Sequence, residues 1–485
     1  MTWLLTICPV LGIIAMAMSA THLLPIAISI VHDDGASGQF AVSMTLNFAV
    51  GCVLWLLTRR HKRELILREG ILLVVIVWTG GALFASVPLL LAVSDISFTD
   101  AYFEAISGLT ATGSSVLARL ETLPVSVNVW RAELQWLGGM GVIVLVVAIL
   151  PMLGVGGRQI SKSEIPGPMK EGALTPRITQ TAKGLWAVYT LLTVLCLLSY
   201  HLAGMSWLDA LIHSFTTVSL GGYSSYDASF AQFDSPTIET IAIAFMLAGG
   251  INFATHFMVW RERSFDAYRR DTEVGYFLLL AALSAAGIAW FLWLSGVYDS
   301  FSTALRFAAF NVVSFGTTTG YTTVDYNAWP IFAALWMLFL GTFLCCSGSA
   351  GGGIKMIRAI ILYRQVYREL NRLAHPNAML PLKVGGQVVP NQVVFAVLAF
   401  FFVWVAILIS MTLILGWSGL DAMTAFSAAV ASLCNIGPGL QQIGPSSNFA
   451  VLTDFQTWVC SAAMLLGRLE LFTVLLVFTP TFWHK

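Results

Sequence analysis

Four short turns, each built around a glycine and preceded by a short apolar segment, constrain the fold of this chain more than any other feature. The clearest turn occupies residues 314–323, where threonines and glycines interrupt a strongly apolar sequence. Irregular backbone at membrane depth is tolerated only inside protein or against a water-filled cavity. Carbonyls turned inward by a glycine of free φ can replace the water shell of a cation. The turn is therefore predicted to line a pore, although alone it also fits a loop or a small-residue packing face.

Three further copies favour the pore. They are Ala111-Thr112-Gly113-Ser114, Leu220-Gly221-Gly222-Tyr223 and Asn435-Ile436-Gly437-Pro438. With Gly320 of the first example, the glycines are separated by 109, 98 and 117 residues, and such unequal intervals indicate divergent duplicated units. An apolar segment with its own glycine follows each turn; these glycines are Gly139, Gly250, Gly348 and Gly467, which lie 26, 28, 28 and 30 residues downstream.

The composition identifies the environment. The 485 residues are 57% hydrophobic and 10% charged, and the mean hydropathy is +0.81, which is typical of a polytopic membrane protein. The seven cysteines have no metal-ligand spacing and are expected to be reduced packing residues. The N-terminus lacks a basic region and a cleavage site, so its first apolar segment is interpreted as a retained helix.

The apolar segments predict an all-α polytopic membrane protein with ten spanning helices. They cover 3–30, 39–58, 70–93, 131–153, 184–204, 236–260, 273–296, a long segment from 328, 392–416 and 454–478. Four shorter segments, at 100–110, 207–218, 299–315 and 419–433, are too short for the ~20 residues of a span and must enter and return. The expected architecture is four pseudo-repeats of helix, pore helix, filter and helix around one pore, plus an N-terminal helix pair.

Unit boundaries and orientation follow from the same pattern. The N-terminal appendage covers 1–68, and the four pore units cover 69–155, 156–263 with a cytoplasmic loop at 157–183, 264–390 with an intramembrane loop at 346–353, and 391–485. Lys and Arg concentrate on cytoplasmic loops, and this assignment places 21 of the 25 on one side. Both termini are therefore predicted to be cytoplasmic, and the four turns enter from outside.

The third unit contains a segment too long for one span. From Trp329 to Asn371 a continuous helix would measure ~60 Å, twice the thickness of a bilayer core. Four glycines interrupt it, and each costs about 1 kcal/mol in a helix interior; they are Gly348, Gly351, Gly352 and Gly353. We interpret 346–353 as a movable gate below the filter, with a cytoplasmic linker as the alternative because Lys355 follows directly.

Arg468 is interpreted as the only cation deep within an apolar span. Burying it costs at least ~2.5 to 3.5 kcal/mol, which makes an intramembrane arginine a functional candidate. Glu470 lies two residues away and points elsewhere on a helix, so it is not the expected partner. Carbonyls of the glycine run are the preferred partners, and an ion pair with another helix is the alternative.

With these turns, the broken segment and the Leu-Gly-Arg-Leu-Glu sequence around Arg468, the chain resembles the Trk/Ktr/HKT superfamily of potassium transporters, and most closely its bacterial TrkH-type members. The resemblance covers essentially the whole chain. It implies that K⁺ binds backbone carbonyls at Ala111, Thr112, Gly113, Leu220, Gly221, Gly222, Thr318, Thr319, Gly320, Asn435, Ile436 and Gly437. It also implies that residues 346–353 and Arg468 form the gate. In related plant proteins a serine at the first glycine accompanies sodium transport, so glycine here favours potassium.

The resemblance further implies a homodimer in the bacterial inner membrane, surrounded by lipid, with cytosolic RCK-type nucleotide-binding subunits that sense NAD or ATP on its basic inner face. The chain itself has no Rossmann or P-loop motif, so no organic cofactor is expected on it, and no nucleic-acid partner. The fourth turn is Asn-Ile-Gly-Pro and the second has no threonine before its glycine. The filter therefore cannot be four-fold symmetric, and looser discrimination against sodium is expected.

Three functions remain at this stage. The preferred one is gated, channel-like potassium uptake driven by the membrane potential. An ion-coupled K⁺/H⁺ or K⁺/Na⁺ symporter with discontinuous helices is the alternative. An intramembrane enzyme is remote, since the sequence has no HExxH, GxSxG or GxGD motif and no histidine pair at i,i+4 spacing.

Overall fold

The computed structural model describes residues 2–59, 67–148 and 178–483, and these are mainly helical. Most of the predicted cytoplasmic loop 157–183 and the C-terminal Lys485 lie outside the described residues; positions 178–183 belong to a helix. The N-terminal pair comprises α1 (Thr2–Thr21), α2 (Leu23–His32) and α3 (Ser37–Thr58). The predicted single helix 3–30 is thus interrupted at His22.

The remaining helices repeat one order, in which a long helix is followed by a short one and then by a second long or broken one. They are α4 (Leu67–Ala92), α5 (Phe98–Leu109), α6 (Val125–Ala148); α7 (Ile178–Leu202), α8 (Trp207–Val218), α9 (Pro236–Gly250), α10 (Phe253–Glu262), α11 (Asp266–Arg270); α12 (Thr272–Leu294), α13 (Phe301–Gly316), α14 (Ile331–Gly341), α15 (Met356–Ala374); and α16 (Asn391–Trp417), α17 (Ala422–Leu433), α18 (Asp454–Arg468), α19 (Leu471–Val477), α20 (Pro480–Trp483). A two-stranded antiparallel ribbon pairs β1 (Lys383–Val384) with β2 (Gln387–Val388) before α16.

The short helices α5, α8, α13 and α17 begin in the same way. In each, the side chain of the N-cap residue accepts a hydrogen bond from a backbone N–H in the first turn, which satisfies one of the amides that a helix start leaves free. The caps are Ser97, Ser206, Ser300 and Asp421. Three of these helices have 12 residues and α13 has 16, so at 1.5 Å per residue they are about 18 to 24 Å long and do not span a bilayer.

Six helical segments among the described residues are long and apolar enough to cross a membrane: Ile7–His32, Ser37–Thr58, Arg68–Ala92, Ala182–Leu202, Thr272–Leu294 and Asn391–Trp417. Two further spans are bent pairs. The axes of α9 and α10 differ by 94°, and those of α18 and α19 by 115°. With α6 and the broken α14–α15 segment these agree with the predicted ten, and the count of ten stays a prediction.

The two bends correct the straight helices predicted at 236–260 and 454–478. In the first, the Asn252 side chain accepts a hydrogen bond from Ala254 N and starts a new helix. In the second, Glu470 has φ +58°, which a right-handed helix cannot accommodate. Both segments are apolar enough for a continuous helix, and local polar or strained residues end it.

The third unit is broken between α14 and α15. The helix stops at Gly341 and resumes at Met356, and we call residues 342–355 the unit-3 loop. The loop contains the predicted 346–353 and begins four residues before it. The short helices α5, α8, α13 and α17 are mostly buried towards their C-terminal ends, whereas outer helices such as α16 expose large apolar side chains, including Phe402 at 74%.

Candidate functional site

The four turns share one backbone conformation. The glycines have φ of +87° at Gly113, +79° at Gly222, +84° at Gly320 and +102° at Gly437. Two residues earlier, Ala111, Leu220, Thr318 and Asn435 have φ between +49° and +58°. Left-handed backbone costs a residue with a side chain roughly 1–2 kcal/mol, so the surrounding structure must hold all four turns in place.

Each turn closes its pore helix by the same pair of backbone hydrogen bonds. In the first, Ala111 N donates to Gly108 O at 2.9 Å and Thr112 N donates to Ser107 O at 2.9 Å. This is the Schellman arrangement, which satisfies carbonyls at the end of a helix. The corresponding amides of Gly221, Thr319 and Ile436 each donate at 2.8 Å, to Thr216, Ser314 and Ala431. Four sequences of different composition therefore end their helices in one geometry.

The turns form a closed ring. A Cβ on Gly113 would collide with Gly221 O, one on Gly222 with Thr319 O, one on Gly320 with Ile436 O, and one on Gly437 would lie 2.8 Å from Thr112 O. The order runs from the first turn through the second, third and fourth and back to the first. The oxygens of the residues just before the four glycines therefore lie together, and glycine is required by this approach as well as by φ.

The side chains before the glycines differ around the ring. Thr112 and Thr319 hydroxyls share hydrogen bonds with Thr110 at 2.6 Å and Thr317 at 2.7 Å. Gly221 has no side chain, and Gln135 from α6 fills that space: its Nε2 donates to Gly221 O at 2.6 Å and its Oε1 accepts from Tyr223 N at 3.0 Å. The Gly221 carbonyl thus already has a protein partner, which the sequence did not predict.

Hydrogen bonds join each turn to its neighbours. Tyr223 OH donates to Glu104 O at 2.9 Å, Tyr321 OH pairs with Thr216 Oγ1 at 2.5 Å, Tyr326 OH donates to Gly439 O at 2.8 Å, and Ser114 Oγ donates to Gly437 O at 2.9 Å. In addition, Asn435 Nδ2 donates to Thr112 Oγ1 at 2.9 Å. The ring is therefore braced between the first and second, second and third, third and fourth, and fourth and first units.

A buried ion pair supports the first two turns. Arg131 Nε lies 2.7 Å from Glu104 Oε1, and both side chains are at most 1% exposed. Glu104 also accepts a hydrogen bond from Val116 N at 3.1 Å, while Arg131 donates to Ser224 O at 3.1 Å and its guanidinium lies 4.2 Å from the Tyr223 ring centroid. The pair holds in place the extended segments that follow the first and second turns.

Sequence reasoning missed this network. Arg468 is not the only deeply buried cation, because Arg131 and Arg358 are also buried, at 1% and 4% exposure. A usable signal existed: the residues nine positions before the first three glycines are Glu104, His213 and Asn311. His213 Nε2 pairs with Ser224 Oγ at 3.0 Å, and Asn311 Nδ2 donates to Thr323 Oγ1 at 2.9 Å. Like Glu104, each of these side chains therefore contacts the segment that follows its own turn.

Of the four glycines noted downstream of the turns, Gly467 lies where the second helix approaches the end of its pore helix, and in the other three units a different glycine takes that position. A Cβ on Gly138 or Gly467 would collide with Leu109 O or Leu433 O, one on Gly249 would lie 3.2 Å from Val218 O, and one on Gly341 would lie 2.8 Å from Phe315 O. Gly139 and Gly250 instead face the neighbouring unit's turn, at Ser219 and Thr317. Gly348 lies in the unit-3 loop against Asn252, because the helix has already ended at Gly341.

The unit-3 loop packs directly against the third and fourth turns. Gly352 N donates to Thr318 Oγ1 at 2.8 Å. A Cβ on Gly351 would lie 3.0 Å from Thr317 O, and one on Gly352 would collide with Cys434 O. Lys355 Nζ donates to Gly351 O within the loop. A linker lying free in the cytoplasm would not make these contacts, so they favour the intramembrane position.

Arg468 joins three units. Its Nη1 donates to Ala350 O in the unit-3 loop at 2.7 Å, which is the kind of partner the sequence predicted, and its Nη2 donates to Gly138 O of the first unit at 3.2 Å. The side chain is 5% exposed. Glu470 pairs instead with Arg358 at 3.1 Å. The arginine from the fourth unit therefore fastens the loop beneath the ring.

Comparison with known proteins decides the family. The family model TrkH, described as cation transport protein, matches residues 36–485. The chain belongs to the TrkH family. It is 43% identical over 477 residues to the Trk system potassium uptake protein TrkH of Salmonella typhimurium and 44% identical over 478 residues to that of Halomonas elongata, and each alignment covers 98% of both chains.

A solved structure agrees over the whole fold. The crystal structure of the potassium transporter TrkH from Vibrio parahaemolyticus superimposes with a TM-score of 0.91 at 40% identity and covers 99% of both chains. The resemblance found in the sequence and the all-α polytopic membrane fold are thereby confirmed. A TrkH family member is a transporter and not an enzyme, so the intramembrane enzyme is rejected.

Proposed function

We propose that this chain is the ion-conducting subunit of a gated, channel-like potassium uptake system in a bacterial inner membrane. The observation that carries the proposal is the closed ring of four glycine turns. Relatives that match 98% of the chain are named potassium uptake proteins, which supports K⁺ as the transported ion. Dehydrated K⁺ or Rb⁺ binds backbone carbonyls at the twelve residues 111–113, 220–222, 318–320 and 435–437.

Selectivity comes from rigid placement of these oxygens. A carbonyl ring replaces the hydration shell of an ion whose size and coordination suit it. Hydrogen bonds between units and the Arg131–Glu104 pair resist collapse of the ring around a smaller ion. The second turn differs from the others because Gln135 occupies one side of the Gly221 carbonyl. One weaker ligand lowers the discrimination against Na⁺ relative to a symmetric filter.

The unit-3 loop, with Gly348, Gly351, Gly352 and Gly353, forms the gate together with Arg468. Its position directly against the third and fourth turns supports this role, since it lies where an ion leaving the ring would pass. The Arg468 guanidinium adds a positive charge at the same level and fastens the loop to the first unit. Opening breaks these contacts and moves both the backbone and the charge.

The membrane potential is sufficient to drive uptake. A potential of 100 mV supplies about 2.3 kcal/mol per monovalent cation, which corresponds to roughly fifty-fold accumulation. Regulation is assigned to cytosolic RCK-type nucleotide-binding subunits on the basic inner face, whose described residues include Arg261, Arg263, Arg269 and Arg270. The transporter acts as a homodimer with both termini in the cytoplasm.

Uptake of ⁸⁶Rb⁺ into liposomes holding the purified protein tests the proposal. Liposomes loaded with K⁺ and diluted into K⁺-free buffer of the same pH and Na⁺ concentration develop an inside-negative potential as K⁺ leaves. We expect ⁸⁶Rb⁺ to accumulate in these vesicles and not in protein-free vesicles. Uptake that occurs only when a Na⁺ or H⁺ gradient is added would support the coupled symporter instead. No uptake under either condition would contradict potassium transport.

A further inference from the structure

Glu273, in the first turn of α12, is a buried carboxylate outside the filter and outside the gate residues described above. Its side chain is 0% exposed. One oxygen, Oε2, accepts two backbone hydrogen bonds, from Ser347 N at 2.8 Å and from Ile357 N at 3.2 Å. Ser347 lies inside the unit-3 loop and Ile357 lies in the first turn of α15, just after the loop ends. A single carboxylate oxygen therefore holds the loop interior to the start of α15.

We call the two hydrogen bonds from Ser347 N and Ile357 N to Glu273 Oε2 the clamp. Further hydrogen bonds around Glu273 hold the clamp in place. Asp271 caps α12 through Glu273 N at 3.0 Å and accepts a hydrogen bond from Thr255 Oγ1 of α10 at 2.7 Å. At the start of α10, Phe253 N donates to Gly348 O at 3.1 Å. The loop is thus attached at Ser347 and Gly348 to α12 and α10 together, and Glu273 connects this attachment to α15.

The bonding of Glu273 depends on the loop conformation. Its second oxygen, Oε1, has no hydrogen-bond partner among the described residues. A buried carboxyl group is costly unless hydrogen bonds satisfy its oxygens. The amides of Ser347 and Ile357 supply these hydrogen bonds only while the two residues stay together. The carboxylate therefore favours the observed loop position over any position that separates Ser347 from Ile357.

We propose that Glu273 is a positioning residue that keeps the unit-3 loop closed beneath the filter, and that opening requires release of its carboxylate from the loop amides. This inference rests on the proposed gate. It adds a second attachment of the loop: Arg468 fastens it at Ala350, and Glu273 fastens Ser347 to Ile357 at the start of α15.

Basal ⁸⁶Rb⁺ flux in liposomes tests the clamp. Glu273→Ala removes the oxygen that accepts both hydrogen bonds, and we expect basal flux to rise roughly tenfold, since each of the two bonds favours the closed position by about twofold to tenfold. Glu273→Gln keeps one carbonyl oxygen at the same place, and we expect a smaller rise. Glu133→Gln is the matched control, because Glu133 is a buried carboxylate of α6, at 7% exposure, and we expect wild-type flux from it. The Rb⁺/Na⁺ permeation ratio stays unchanged in all three variants.

Hydrogen exchange of the loop amides in nanodiscs provides a second readout that does not depend on conduction. We expect peptides spanning residues 345–358 to exchange faster in Glu273→Ala, with peptides of α5 unchanged. If the wild type conducts while folded Glu273→Ala and Glu273→Gln show neither raised flux nor faster loop exchange, the clamp is wrong. If the wild type does not conduct at all, the proposed transport fails, and unchanged exchange of the loop would still overturn the clamp separately. If Glu273→Ala does not fold, Glu273→Gln decides by the same two measurements.

Discussion

The absence of a side chain at Gly113 allows the first and second turns to approach each other closely. Its φ is +87°, and a Cβ at this position would collide with Gly221 O of the adjacent turn. Gly113→Ser would therefore push one carbonyl of the ring outward or twist its own turn. We expect the Na⁺/Rb⁺ permeation ratio to rise about tenfold. The strain of a left-handed residue, of order 1–3 kcal/mol, is enough to displace carbonyl oxygens of the ring from their positions. Competitive ⁸⁶Rb⁺ and ²²Na⁺ uptake measures the ratio.

A second glycine distinguishes the effect of backbone strain from the effect of the collision with a carbonyl of the ring. Gly204, between α7 and α8, also has a positive φ, +108°, but nothing lies within 4 Å of its missing Cβ. We expect Gly204→Ser to keep the wild-type permeation ratio, since it introduces the backbone strain without the contact to a filter carbonyl. An unchanged ratio in Gly113→Ser as well would show that the ring does not set selectivity.

Residues differ in how far the sequence reveals them. The glycines of the four turns were visible because duplication repeats them with a conspicuous local composition, and the structure brings all four turns together; their role as a filter stays a prediction. The Arg131–Glu104 pair was not predicted, since its members lie 27 residues apart and only the packing of α5 on α6 makes them neighbours. Likewise, nothing in the sequence indicates that Gln135 replaces the side chain that Gly221 lacks.

At the scale of elements, the unit-3 loop and its arginine give a prediction about gating. Arg468→Ala removes hydrogen bonds to Ala350 O and Gly138 O, and deletion of residues 351–353 removes the backbone next to the third and fourth turns. We expect either change to raise basal ⁸⁶Rb⁺ flux roughly tenfold, because charged hydrogen bonds of about 1.5–3 kcal/mol each hold the loop. Flux in liposomes at equal protein content measures the effect.

Arg372→Ala is the matched control for loss of an arginine. Arg372 lies at the end of α15, is 56% exposed and pairs with Glu369 at 3.3 Å. Exposed pairs contribute about 0–1 kcal/mol, so we expect wild-type flux from this variant. Reduced flux from a folded Arg468→Ala protein would instead assign the arginine to the architecture of the pore.

Element ends were harder to predict than element types. The unit-3 break was visible in the sequence because four glycines fall within six residues, yet the helix ends earlier, at Gly341, where Ile436 and the end of α13 come close. The bends after α9 and α18 were missed because hydropathy continues across them. Each depends on one residue, the cap Asn252 or the left-handed Glu470, and such single residues are outweighed by the apolar sequence around them.

At the scale of the whole molecule, charge placement gives an orientation that can be tested. Two arginines on the predicted outer half form ion pairs: Arg131 pairs with Glu104 at 2.7 Å, and Arg306 pairs with Glu239 at 2.6 Å. Arginines of the predicted inner half, such as Arg364 and Arg372 on α15, lie on a long helix beyond the loop. Lys and Arg near the ends of spans remain in the cytoplasm during insertion.

Ten spans and this charge distribution together require that the chain end on the cytoplasmic side. We expect a C-terminal fusion of green fluorescent protein to fluoresce and a C-terminal alkaline phosphatase fusion to be inactive, since the first folds only in the cytoplasm and the second only outside it. A phosphatase fusion at Gly296, an open position between α12 and α13 with nothing within 4 Å of its missing Cβ, is expected to be active. Phosphatase activity at both sites would require an even number of crossings after α12, instead of the expected three. It would show that one of the bent or broken helices, α14–α15 or α18–α19, does not complete its span.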